Sequence, residues 1–164
     1  MKPYRPNIVD VEASGFGSDS YPIEVGVVLS NGERYCSLIR PEADWIYWDE
    51  SAAHAHKISR ESLFKYGKSV ATVAQELNAF LENMTVYSDG WVVDSPWLKQ
   101  LFFSANCPPT FSISPLEMIL TEPQMAVWHE VKDSLMIGSE AHRHRASYDA
   151  QLIQDTYVKS AEVK

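Results

Sequence analysis

Apolar and polar positions alternate near the start of the chain and recur at helical spacing further on. Asn7-Ile8-Val9 leads into Asp10 as a short apolar strand with acids at its end. Ile23, Val25, Val27 and Leu29 alternate along a second strand. Asn31-Gly32 follows, a dipeptide that tolerates the positive φ angles of a tight hairpin turn. Arg34 to Ile39 returns as a third strand, ended by Pro41, so the opening is an antiparallel meander. Trp45 to His56 reads as an aromatic, irregular stretch. Ser59 and Ser69 are candidate helix caps. Behind Ser69, the spacing of Val70, Val73, Ala74, Leu77, Phe80 and Leu81 predicts an amphipathic helix against the sheet. Thr85 to Ser88 is a brief strand expected parallel to the first. Asp94-Ser95-Pro96 is expected to start another helix, with Pro in its first turn. Phe111-Ser112-Ile113 is a candidate last strand, Pro115 onward reads as helical pieces, and Ala146 to Val158 as a final helix. The expected fold class is α/β, a five-stranded mixed sheet flanked by helices.

Composition changes this picture little. The 164 residues are 45% hydrophobic, 22% charged and 12% aromatic, which suits one domain over 1–164. No apolar run approaches the roughly 20 residues that span a bilayer. The start, Met1 to Pro6, has no apolar stretch of the kind expected of a secretory signal, and two cysteines, Cys36 and Cys107, are too few to suggest a disulfide framework. A cytoplasmic setting without a membrane partner is the expectation. Charge is more telling. A net charge of −8 without a basic stripe argues against coating long duplex. Two divalent cations held by four acids would leave −4 of that −8. Such a balance favours a small substrate or a single-stranded end.

The chemistry sits at the two ends of the chain. Asp10 and Glu12, two apart on a strand, point to one face of the sheet. Hard oxygen ligands of this kind suit Mg²⁺ or Mn²⁺. Phosphodiester hydrolysis needs an activated water and stabilised oxygens, which two metals about 4 Å apart supply. The segment His144-Arg145-Ala146-Ser147-Tyr148-Asp149 adds an imidazole and a carboxylate. Residues five apart on one helix diverge by about 140°. His144 is therefore expected on a loop, free to act as a base, with Asp149 in the following helix's first turn.

The segment Ile8-Val9-Asp10-Val11-Glu12-Ala13-Ser14-Gly15-Phe16 resembles the first motif of the DEDDh, DnaQ-like 3′→5′ exonucleases, which include proofreading subunits and ribonuclease T. His144 to Ala150 resembles that family's third motif, and Asp94 with Trp97 and Leu98 its second. His56-Lys57-Ile58 extends the likeness across nearly the whole chain. The resemblance implies a ribonuclease H-like fold and an exonuclease removing nucleotides from the 3′ end of single-stranded RNA or DNA. It implies that Asp10, Glu12, Asp94 and Asp149 bind two Mg²⁺ (or Mn²⁺) and that His144 is the general base. Ser14, Gly15, Phe16 and His56 would contact substrate, and a homodimer would be in keeping with the family. Two departures bear on nucleotide contacts: Ala13-Ser14 stands where relatives commonly carry Thr, and Gly90 where they often carry Asn.

Each motif has an ordinary competitor. A lone Asp-x-Glu is common, Asp94 could simply cap its helix, and Asp89 competes with it but lacks the apolar pair downstream. His144 lies in a polar run over 140–145, where Arg143 and Arg145 read more simply as exposed loop residues than as phosphate contacts. For Trp45, Tyr47, Trp48 and Trp91, burial is favoured over base stacking. The joint, ordered occurrence of the motifs favours the nuclease. A non-catalytic nucleic-acid or protein-binding module on the same fold is the alternative.

Overall fold

Alternation along the opening strands places two different faces on the sheet, and the helices divide between them. In this computed structural model, which describes residues 2–138 and 142–163, the sheet order is β3-β2-β1-β4-β5. Its strands are β1 (Ile8–Ala13), β2 (Pro22–Val28), β3 (Arg34–Leu38), β4 (Thr85–Ser88) and β5 (Ser112–Pro115). The first three form the expected antiparallel meander. β4 pairs parallel to β1, and β5 parallel to β4. The helices are α1 (Glu50–His56), α2 (Arg60–Tyr66), α3 (Val70–Leu81), α4 (Trp91–Ser104), α5 (Glu122–Met136) and α6 (Ala146–Ser160), with a 3₁₀ turn over Leu116–Ile119. The architecture is the ribonuclease H-like α/β arrangement.

Val9, Val11, Ile23, Val25 and Val27 pack with α3 and α4 in the larger core, joined by Leu77, Leu81, Leu98 and Leu101. Each such side chain contributes about 1.5–3 kcal/mol when fully buried. Ile8 and Val28 face the opposite side, against Trp128 of α5 and Ala150 and Ile153 of α6. By the two-residue period, Asp10 and Glu12 share the Ile8 face, the side on which α6 lies. In register, Gly26 stands opposite Asp10 and Glu24 opposite Glu12. That pairing decides what α6 can reach.

Four expectations about elements need correction. β1 runs on to Ala13, so Asp10 and Glu12 lie within the strand rather than at its end. The stretch around Trp45 to His56 contains α1, because Asp49 caps it, its carboxylate accepting the Ser51 N–H at 2.9 Å. Helix α4 begins at Trp91, one turn before Asp94-Ser95-Pro96. Pro96 then sits inside the helix and cannot donate to the Val92 carbonyl, but Val92 is exposed and its backbone can be hydrated. The last helix extends to Ser160. Glu140 and Ala141 of the polar run lie outside the described residues. Among those described, no helix is long and apolar enough to cross a membrane.

Candidate active site

Carboxylate oxygens of Asp10, Glu12 and Asp149 lie within 4.8 Å of one another. β1 supplies the first two on one face, and the first turn of α6 brings Asp149 over them. Asp94, in the first turn of α4, is buried beside them, its Oδ2 accepting the Ser88 hydroxyl at 2.6 Å. Ser88 Oγ in turn accepts the Gly90 N–H at 3.0 Å. Asp89 also borders the site but is paired at 3.2 Å with Lys132. The acids floor a cavity of about 300 Å³ that also meets Phe16, His56, Trp97 and His144.

Burial and mutual repulsion dominate the electrostatics. Burial, then the charges of Asp94, Glu12 and Asp149, pushes the Asp10 carboxyl well above its ordinary range. Burial and the neighbouring Asp149 push Glu12 up to about 9. Burial raises Asp94 to about 7, opposed by the Ser88 hydroxyl. Asp10 Oδ2 is buried without a hydrogen-bond partner. An orphaned carboxylate oxygen among crowded acids, in an all-oxygen donor set, fits a hard divalent cation such as Mg²⁺ or Mn²⁺.

The approach of α6 depends on two β2 residues that the sequence reading did not single out. Gly26 leaves room for the helix: a Cβ there would lie 2.4 Å from Ala146 C and Ser147 N. Glu24 is 1% exposed and accepts the Ala146 N–H at 2.7 Å. The same carboxylate takes the Arg145 guanidinium, through Nη2 at 2.7 Å and Nε at 3.1 Å. Arg145 is thus an anchor on the sheet rather than a loose loop residue. The available signal was a Glu on the non-core register of an otherwise apolar strand, two residues before a Gly.

His144 precedes α6 and is exposed, with a left-handed φ of 64°. Its backbone N–H donates to Asp149 Oδ2 at 3.1 Å, which ties the base candidate's position to the acid cluster. Phe16 is 74% exposed at the cavity rim. Gly15 lines the cavity where a Cβ would meet the Tyr47 ring at 2.7 Å. His56 is buried at the cavity wall: Nδ1 accepts the Ile58 N–H at 2.9 Å and Nε2 has no partner. Burial lowers its pKa, which favours neutral imidazole. Ser14 stands apart from these residues, fully buried with its Oγ accepting the Tyr21 N–H at 3.2 Å. The register shift between Glu12 and Ala13 accompanies that inward turn. Trp45 is buried and stacked on Tyr21.

No protein-family model matches the chain, and no curated protein matches it. Solved structures do match in fold. Escherichia coli exonuclease I in complex with a dA16 oligonucleotide superposes with a TM-score of 0.70 at 13% identity, over 96% of this chain and 41% of that one. The zinc-bound form of the same enzyme with single-stranded DNA gives 0.70 at 14% identity, covering 96% and 41%. A moderately thermophilic exonuclease I from Methylocaldum szegediense gives 0.67 at 11% identity, covering 91% and 38%. The chain spans about two fifths of these proteins' length. It shares with these exonucleases the ribonuclease H-like fold.

Proposed function

We propose that this chain is a divalent-cation-dependent 3′→5′ exonuclease that hydrolyses single-stranded RNA or DNA from its 3′ end. The observations that carry the reading are the convergence of Asp10, Glu12 and Asp149 and the buried, unpartnered Oδ2 of Asp10. Asp10, Glu12, Asp94 and Asp149 would hold two Mg²⁺ or Mn²⁺. When bound, the ions neutralise phosphate charge and stabilise the attacking and departing oxygens. An imidazole nitrogen of His144 accepts the proton of the attacking water. Water oxygen bonds to phosphorus as the P–O3′ bond breaks, and the departing O3′ takes a proton from solvent, leaving a nucleoside 5′-monophosphate and a new 3′-hydroxyl. Phe16 stacks on the terminal base from the rim, and His56 Nε2–H donates into the cavity. The net charge of −8 and the 300 Å³ cavity support end recognition over coating of long nucleic acid.

The test compares 5′-labelled linear and circular single strands with Mn²⁺. Linear RNA or DNA should shorten from the 3′ end, circles should survive, and a chelator should stop the reaction. Cleavage of circles would indicate an endonuclease. Intact linear substrate of both kinds would leave a non-catalytic binding module.

A further inference from the structure

The last residues before α6 carry two arginines with different partners. Arg145 is committed to buried Glu24. Arg143 is committed to a member of the acid cluster: its Nη1 lies 2.5 Å from Asp149 Oδ1, with side-chain exposures of 21% and 11%. The guanidinium holds one oxygen of Asp149, Oδ1, and so competes with a cation for that carboxylate. Next to it, a second cavity of about 400 Å³ is lined by Asp133, Met136, Ile137, Arg143 and His144. That cavity gives the Arg143 side chain room to leave Asp149. His144 borders both cavities, so this second cavity adjoins the space above the acids. Planar guanidinium matches phosphate oxygens in a two-pronged contact.

We propose that Arg143 is a cation-responsive phosphate ligand: it neutralises Asp149 in the metal-free protein, and a divalent cation displaces it onto a phosphate of the bound strand. This rests on the nuclease reading of the acid cluster. Cation and phosphate then bind cooperatively through one side chain, because the cation competes with Arg143 for Asp149 and frees the guanidinium for phosphate.

Calorimetric titration tests it on wild type, Arg143→Gln, Arg143→Lys and Lys132→Gln. Lys132 pairs with Asp89 at the border of the same cavity, so its variant reports the effect of removing a nearby charge. Arg143→Gln should bind Mn²⁺ about tenfold more tightly, while Lys132→Gln changes by no more than about twofold. In saturating Mn²⁺, thymidine 5′-monophosphate should bind Arg143→Gln about tenfold more weakly than wild type. Arg143→Lys keeps a cation for Asp149 but not the planar fork. It should bind Mn²⁺ like wild type and lose nucleotide affinity. Unchanged or weaker Mn²⁺ binding in Arg143→Gln, an equal gain in Lys132→Gln, or unchanged nucleotide affinity would overturn the proposal. Wild type that takes up no Mn²⁺ would overturn the nuclease reading with it.

Discussion

Gly26→Ala places one methyl group where β2 meets the start of α6. The added carbon would sit 2.4 Å from Ala146 C and Ser147 N and 2.6 Å from Ala146 O, all backbone atoms. Ordinary contact begins at 3.4 Å, so one side must yield by about 1 Å. β2 is held between β1 and β3, so the first turn of α6 is the side that moves. Asp149 moves with it. Mg²⁺ needs oxygens at about 2.0–2.1 Å, which leaves no slack for such a shift. Overpacking of this size costs about 1–3 kcal/mol, and for a chain of this length each kcal/mol lowers Tm by about 2–4 °C. Most of the variant should therefore remain folded at 25 °C. Its Mn²⁺ affinity should nevertheless fall about tenfold or more, and its exonuclease rate about 100-fold. Thermal unfolding with and without Mn²⁺, calorimetry and 3′-end degradation would measure all three. A folded Gly26→Ala protein with wild-type Mn²⁺ affinity would refute the idea that the β2–α6 contact sets Asp149.

Three further outcomes follow from the same site. Asp10→Asn, which replaces a carboxyl whose charged form burial and the neighbouring acids disfavour, should leave the metal-free protein as stable as wild type or up to about 1 kcal/mol more stable, while abolishing Mn²⁺-induced stabilisation in a thermal melt. Glu12 at about 9 and Asp94 at about 7 are raised in the folded state, so the native protein holds protons that the unfolded chain has lost. Their contribution is fully present below about pH 4, and metal-free stability should decline from there until the pH passes about 7 for Asp94 and about 9 for Glu12. Urea midpoints across that range would check it, and a rise instead of a fall would contradict the crowded-acid picture. His144→Ala should lose about 10²–10⁴-fold in rate with Mn²⁺ affinity within about twofold of wild type; near-full activity would remove His144 from the mechanism.

Much of the site could be read from the chain because it depends on local periodicity. The two-residue strand period sets Asp10 and Glu12 on one face, and the helical angle separates His144 from Asp149. The structure places them accordingly. The supporting contacts were not legible in the same way. Glu24 and Arg145 are 121 positions apart, and alternation identifies a strand face without saying what packs on it. Gly26 likewise looks like any glycine until a helix backbone lies against it. Ser14 adjoins Gly15 and Phe16 in sequence, yet the register shift after Glu12 accompanies its turn into the interior. Helix α1 was hidden because its surroundings are crowded with aromatic residues and its cap, Asp49, is a single side chain.

Manganese anomalous diffraction from crystals soaked in Mn²⁺ would show whether the acids of β1 and α6 share a cation. Anomalous density should be bound jointly by oxygens of Asp10, Glu12 and Asp149. Saturating Mn²⁺ with no density there, or density that engages Asp10 and Glu12 while Asp149 stays with Arg143, would contradict it.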